Sequence, residues 1–419
     1  MIKRFTVILM LLFTVITTAQ EGTSSPYSFY GIGLTTFKGT VENRSMGGIS
    51  VFSDSIHLNL KNPASLGSLR LTTFTVAGSH SSTDIKSGSE SENAAVTSFD
   101  YLAIGLPAGR WGFSFGLLPY SSVGYKLQSI DDETGTEGRF TGRGGLNKVF
   151  LNTGYAITEN LSLGLGVDYG FGNLENKNIF VRQGLQFGSR ELNESRLSGF
   201  GFNFGLDYQR MLNEKLQFRA SAMYSPETKL KSFNSRQLAV IGTSANGSEV
   251  IADGGTAFQD IEMPDSELTM PSEYTVGVGL GKPRKWFLGI EYTGIGASSF
   301  NNRSFDPEGA VYSDAANYSV GGFFIPDFRP TSSYFNRVVY RAGFRTGETG
   351  LSLNGEAIDE FGMSFGVGLP AGKFFENVNL GLEYGQRGTT NAGLIQENFL
   401  NLSISLSLND RWFVKRRFD

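Results

Sequence analysis

From about residue 69 onward, apolar and polar residues alternate one by one. Leu161, Leu163, Leu165, Val167 and Tyr169 fall on one face of their run, and Ser162, Gly164, Gly166 and Asp168 fall on the other. Phe200, Phe202, Phe204, Leu206 and Tyr208 repeat this against Gly201, Asn203, Gly205 and Asp207. Leu400, Leu402, Ile404, Leu406 and Leu408 do so against Asn401, Ser403, Ser405 and Ser407. Strand side chains alternate sides with period 2, so each run predicts a strand with one apolar face. A soluble sandwich alternates as well. Here, however, one face collects Phe, Leu and Tyr while the other collects Gly and Ser, strand after strand. That is the inside-out arrangement of a membrane barrel, apolar toward lipid and small or polar toward the lumen.

The residues alone allow twelve to sixteen such strands, roughly placed. An even number returns a chain to its starting side, and closure removes edges that lipid cannot satisfy. The connections are of two kinds. Ala108-Gly109-Arg110, Thr158-Glu159-Asn160, Leu212-Asn213-Glu214 and Gly281-Lys282-Pro283-Arg284 are short and read as periplasmic turns. The stretches 80–95, 127–145, 176–195, 232–271 and 296–314 are long, rich in Ser, Gly, Asn and acidic residues, and read as extracellular loops. Pro326 to Tyr334 reads as a longer periplasmic connection, and both termini are expected on the periplasmic side. Loops of this length serve equally as solvated surface or as docking surface for other outer-membrane proteins.

The stretch before the strands differs. Asn43 to Leu69 reads NRSMGGISVFSDSIHLNLKNPASLGSL, too polar and irregular for a membrane strand. Met46-Gly47-Gly48 predicts a tight backbone passage, because glycine tolerates close approach and positive φ. Asn62-Pro63-Ala64 predicts a turn, because Pro63 fixes φ and lacks an N–H. The segment is expected to fold inward as a plug, with the strands wrapped around it. A glycine pair, an Asp-containing run and then Asn-Pro-Ala resemble the N-terminal hatch of FadL-like outer-membrane proteins. The ending Leu408-Asn409-Asp410-Arg411-Trp412-Phe413-Val414-Lys415-Arg416-Arg417 resembles that of the Bacteroidota members. The resemblance implies an all-β fold, a transmembrane antiparallel β-barrel of about 14 strands with the hatch in its lumen. The strands then fall near 69–79, 96–107, 111–126, 146–157, 161–175, 196–211, 215–231, 272–281, 285–295, 315–325, 336–347, 359–370, 377–388 and 397–408. Met46, Gly47, Gly48, Asn62, Pro63 and Ala64 become the hatch or gate residues.

The start of the chain sets the compartment. Lys3 and Arg4 precede an apolar run from Phe5 to Ile16, and Thr17-Thr18-Ala19 is a small-residue cleavage site. This predicts a signal peptide at 1–19. The rest divides into a hatch at 20–68, a barrel at 69–408 and a periplasmic tail at 409–419. The expected location is the outer membrane of a Gram-negative bacterium, with outer-membrane lipid around the wall. After residue 19 no run is long and apolar enough for a spanning helix. The chain has no cysteine, so it carries neither a lipidated N-terminal cysteine nor a disulfide. A net charge of −4 without a basic stripe argues against nucleic acid.

Catalytic chemistry is thin. The two histidines, His57 and His80, share no metal-ligand spacing with each other or with any cysteine, so no enzyme activity, metal or cofactor is expected. The lumen charges say more. By alternation Asp168, Asp207, Glu291, Glu383, Arg219, Arg341 and Arg345 point inward. A buried charge requires a partner, so these predict ion pairs that hold the hatch or knit the wall. The alternative role for Arg219, Arg341 or Arg345 is to receive the carboxylate of an amphipathic, fatty-acid-like ligand. Pro119 interrupts the third strand and predicts a bulge or local opening. FadL-like proteins release ligands sideways through a kink in that strand, so the resemblance places a lateral opening at Leu118, Pro119, Tyr120 and Gly124.

Two functions remain, and the commoner role in the family the chain resembles favours the first. In one, the barrel takes up hydrophobic or amphipathic small molecules, gated by the hatch. In the other, it is a non-transporting subunit of a larger outer-membrane complex for protein secretion or outer-membrane assembly, as some FadL-like proteins are. A transporter keeps an apolar lumen near the hatch, whereas an interaction subunit fills its lumen with polar pairs.

Overall fold

The computed structural model describes residues 22–88, 90–131, 133–182, 184–243, 249–252, 258–300, 309–371 and 377–412. The expected signal peptide and the tail beyond Trp412 lie outside these residues. Fourteen antiparallel strands close into a barrel. They are β1 Thr72–Ser87, β2 Glu90–Ala108, β3 Trp111–Asp131, β4 Thr136–Ala156, β5 Leu161–Arg182, β6 Phe187–Met211 and β7 Gln217–Ser225, followed by β8 Glu273–Lys282, β9 Trp286–Ile295, β10 Ala315–Phe324, β11 Val339–Leu353, β12 Glu356–Pro370, β13 Asn377–Gly388 and β14 Ile395–Asp410. Pairing of β1 with β14 from Thr72↔Asp410 to Ser87↔Ile395 closes the ring.

The alternation fixes the faces. Leu163, Leu165, Phe200, Phe202, Ile290, Leu402 and Ile404 are exposed on the outer wall, where lipid covers them. Asp168, Asp207, Ser364, Ser403, Ser405 and Ser407 are buried on the inner wall. Trp286, Phe324 and Tyr340 sit in one hydrogen-bonded row at the short-turn end of β9 to β11. Trp111 packs on Tyr155 at the corresponding end of β3 and β4, 4.6 Å between ring centres.

The expected long loops at 80–95, 127–145 and 176–195 are largely strand. The β1–β2, β3–β4 and β5–β6 ladders run on until Ser87↔Glu90, Asp131↔Thr136 and Phe180↔Ser189. Beyond the lipid belt a strand needs no uniform apolar face, so the alternation fades while β-formers such as Ile179-Phe180-Val181 sustain pairing. The stretch 232–271 is likewise mostly paired. Thr228–Thr243 lies on the upper half of β6, and Glu249–Ile251, Phe258–Glu262 and Ser266–Met270 fold back on it. Pro226 and Pro271 separate this extension from β7 and β8, because proline cannot donate to a ladder. The expected tail also begins later, since β14 continues through Asn409 and Asp410.

Candidate functional site

The interior is occupied by residues 22–71. Ser25 caps a short 3-10 turn at Pro26–Phe29. Leu34–Thr35 form a two-residue strand, and Thr40 caps the single helical turn Val41–Arg44 with a reciprocal Asn43 bond. Asn62 caps the 3-10 turn Pro63–Ser68, its Oδ1 accepting from the Ala64 N–H at 3.0 Å and its Nδ2 donating to the Leu206 carbonyl at 3.2 Å. Pro63 opens this turn where its missing N–H costs nothing. Ala64 is fully buried.

Glycines on the wall make room for this backbone. A side chain at Gly154, Gly164 or Gly205 would strike Asn62, Pro63 or Ala64. One at Gly321 or Gly343 would strike the backbone of Met46 or Gly47. Gly47 itself has φ +69°, and a Cβ there would lie 2.7 Å from the carbonyl oxygens of Phe344 and Val320. Its N–H donates to Ser364 Oγ at 2.8 Å. Met46 is buried with Ile49, Val51 and Phe287.

Polar ties complete the seating. Glu291 accepts from the Ser50 N–H at 2.7 Å and pairs with Lys61 at 3.0 Å. Arg219 donates to Ser53 Oγ at 2.8 Å, and Ser53 donates on to Asp207 at 2.8 Å. Arg341 donates to Asn379, which donates to Glu42 at 2.8 Å. Lys38 pairs with Glu273 at 2.6 Å. Higher up, Arg345 pairs with Glu360 and with Glu383 at 2.8 Å, and Arg387 pairs with Glu360 and with Glu397 at 2.9 Å. Ser25 and Tyr27 donate to Glu397 and to the Ile395 carbonyl. Residues 25–27 therefore lie at the end of the barrel opposite Asp410. In the lower segment Asp54 accepts from the His57 N–H and meets its Nδ1 at 2.6 Å. Burial pushes the Asp54 carboxyl up, but the adjoining His57 outweighs it and holds Asp54 at about 2. His57 is raised, because Asp54 overcomes the effect of its burial.

The β2–β3 seam differs from the rest of the wall. Its ladder runs for seven pairs, from Ala108↔Trp111 to Leu102↔Leu117, and ends there although both strands continue. Above this point β3 bulges between Pro119 and Ser121, keeps its pairing with β4, and turns its other edge to the N-terminal segment. Leu34 and Thr35 pair with Ser122 and Ser121. Thr36 donates its N–H to the Tyr120 carbonyl and its hydroxyl to the Pro119 carbonyl, at 3.0 and 2.6 Å. The Gly124 N–H donates to Ser28 Oγ at 3.1 Å. A cavity of about 2230 Å³ extends from the lumen to this seam, lined by residues 33–38, by Val96 to Asp100 and by the outward-facing Leu402 and Ile404.

The structure thus gathers Met46 and Gly47 against β10–β12, with Gly48 beside Phe37 at the cavity, and Asn62, Pro63 and Ala64 against β4–β6. Pro119 and Tyr120 lie beside the cavity, while Leu118 is buried beneath it. The three candidate arginines are dispersed, and of them only Arg345 lines the cavity. The residues 360, 387 and 397 escaped the sequence reading. Alternation carried two rungs further along β12 and β13 would have placed Glu360 and Arg387 inward. Lys38, Arg44 and Lys61, on an aperiodic segment, gave no such signal. Among the described residues no group of three or more His, Cys, Asp or Glu is placed to hold a metal.

The closed fourteen-stranded barrel is shared in fold with several solved structures. The structure is similar to that of the Ralstonia pickettii toluene transporter TbuX, at 17% identity and a TM-score of 0.61, over 90% of this chain and 100% of that one. It is similar to the Pseudomonas putida toluene transporter TodX, also at 17% and 0.61, over 90% and 100%. A Pseudomonas aeruginosa FadL homologue gives 12% and 0.54, over 90% and 98%. At such identities the likeness is one of fold. By sequence the chain belongs to the BamG family, whose model matches residues 1–419. No curated protein matches it by sequence.

Proposed function

We propose that this chain is a non-transporting barrel subunit of a larger outer-membrane complex, of the outer-membrane assembly or protein-secretion class, with residues 22–71 acting as a fixed hatch. The observation that carries this reading is the set of paired charges that ties the inner segment to the wall. Glu42, Arg44, Lys61, Asp207, Arg219, Glu291, Arg341 and Glu383 join the inner segment to the wall or neutralise one another. Breaking buried pairs of this kind costs several kcal/mol each, which disfavours a plug that moves in every transport cycle. Membership of the BamG family supports the same reading. The short turns then face the periplasm, and the long hairpins offer docking surface outside the cell.

One observation favours a second reading. The large cavity reaches the β2–β3 seam, and the likeness in fold to toluene transporters makes a hydrophobic or amphipathic small molecule the candidate ligand for it. In that case Met46 to Gly48 and Asn62 to Ala64 gate the lumen, Leu118, Pro119, Tyr120 and Gly124 border the exit, and Arg345 receives a carboxylate. Native mass spectrometry of the protein, gently extracted from its own membrane, separates the two. A stable assembly with other outer-membrane proteins supports the subunit. A lone barrel carrying an amphiphile overturns it in favour of transport.

A further inference from the structure

The two edges of upper β2 are unlike. One is paired with β1 to the tip of the hairpin, with a single irregularity at Ala77/Gly78. The other, above Leu102, has no backbone partner among the described residues. The neighbouring strand cannot supply one, because β3 has bent inward and given its edge to Leu34 and Thr35. This opening begins within the lipid belt. Seven rungs place it on the order of 16 Å above the short turn, in a belt about 25 Å tall. Leu102 and Phe99, on the outward face, are exposed beside it.

A membrane has no tolerance for such an edge. Lipid tails offer neither donors nor acceptors, so spanning sheets pair every backbone group. An acyl chain or a hydrocarbon filling the lower part of the gap would leave unmet the N–H and C=O groups of the alternate residues that face this edge, the others being paired with β1. An extended polypeptide meets them all, since a strand edge is complementary to another strand and to little else. The cavity provides the place, running between the β2 edge and residues 33–38. The outer surface is also less lipid-like here. Where β14 presents Leu402 and Leu400, the paired positions are His80 and Ser82 on β1, and Thr97 and Ala95 on β2. His80 and Thr97 are bonded to each other at 2.9 Å.

We propose that the free edge of β2, from residue 94 to residue 101, docks an extended segment of a partner polypeptide, which adds as a strand between β2 and the N-terminal strand Leu34–Thr35. This rests on the subunit reading and names the chemistry of its contact.

The test uses the full chain in its own membrane. A benzophenone amino acid is placed at Thr97 or Phe99, with Ile290 and Val320 on another part of the wall as controls. Irradiation is expected to give a polypeptide adduct from Thr97 and Phe99 and none from the controls. Lipid or small-molecule adducts alone at Thr97 and Phe99 overturn the proposal, as do polypeptide adducts equally strong at the controls. Amide exchange of the unaltered chain gives an independent readout. The amides of residues 94–101 that face the free edge are expected to exchange about tenfold or more slowly in the gently extracted complex than in the isolated barrel, and equal rates overturn the proposal. If partners co-purify but neither readout responds, the edge proposal falls and the subunit reading stands. If no partner co-purifies, both fall.

Discussion

Two junctions of the same wall behave in opposite ways. Between β10 and β11 the ladder is unbroken from Asn317↔Gly347 to Phe324↔Tyr340. The lumen face there is paved by Gly321 and Gly343, so the Met46–Gly47 backbone lies flush on it. Between β2 and β3 the ladder stops at Leu102↔Leu117, although both strands continue to pair on their far sides with one bulge each. The lumen face of β3 is bulky, with Leu118, Val123 and Tyr125 buried on it. Intrinsic strand preference does not separate the two junctions. What differs is competition: at β10–β11 the inner segment touches glycine faces and leaves the strands to each other, whereas at β3 it takes a strand edge that β2 would otherwise hold.

The comparison breaks first at the glycine seat. Gly343→Val drives two methyl groups into the Met46–Gly47 backbone, which cannot yield because Gly47 already has φ +69°. The expected loss is about 3 kcal/mol or more, or failure to fold. Denaturant unfolding in micelles and gel mobility before and after heating check it. Gly242→Ala, where the nearest atoms stand 3.8 Å away, should stay within about 0.5 kcal/mol of the parent. A next step is Glu383→Leu. Glu383 is bound by Arg345 at 2.8 Å and Asn401 at 3.2 Å, with Arg44 at 3.9 Å. Its removal leaves two guanidinium groups short of a partner and is expected to cost about 2–3 kcal/mol by the same unfolding measurement. At the seam the effect is smaller and local. Thr36→Val deletes the hydroxyl bond to the Pro119 carbonyl, for about 1 kcal/mol. Amide exchange should quicken at residues 120–123 and remain unchanged at β10–β11. A uniform change would remove the idea that the inner segment competes for the β3 edge.

The sequence made the wall legible and the seam only partly so. Period 2 with Gly and Ser opposite Phe and Leu leads directly to the barrel faces, because one side chain per rung decides the side. It also places Asp168, Asp207, Glu291 and Glu383 inward, where they are buried. Pro119 marks the disturbed strand, since a missing N–H is visible in one letter. The partner exchange behind it is not visible. Nothing in Leu34-Thr35-Thr36 distinguishes a segment that captures a strand edge from one that merely passes it. The hairpins beyond the lipid were hidden for a related reason: once both faces meet water, burial no longer imposes alternation, and Ser- and Asn-rich strands read as loops. The charged network beside Ser25 combines both cases, with Glu360 and Arg387 on periodic strands and Ser25 on an aperiodic segment.

The smallest expected effect concerns the pair at the lower end of the inner segment, remote from the seam. Asp54 and His57 are about one-quarter and one-fifth exposed, so solvent moderates their attraction. His57 is raised by Asp54, so its contribution is full below its unfolded value of about 6.5 and is lost as pH rises through the higher folded value. Asp54 is held at about 2, so its contribution is present above its unfolded value of about 3.9 and disappears as pH falls through the folded one. Together they stabilise most between about pH 4 and 6.5. Asp54→Asn should lower stability by about 1 kcal/mol or less at pH 6 and by less at pH 9. Amide exchange at residues 120–123 should not respond, because this pair holds the floor of the segment and not the strand that occupies the β3 edge. If exchange at the seam does follow the titration, the segment moves as one body and the two regions are a single mechanical unit.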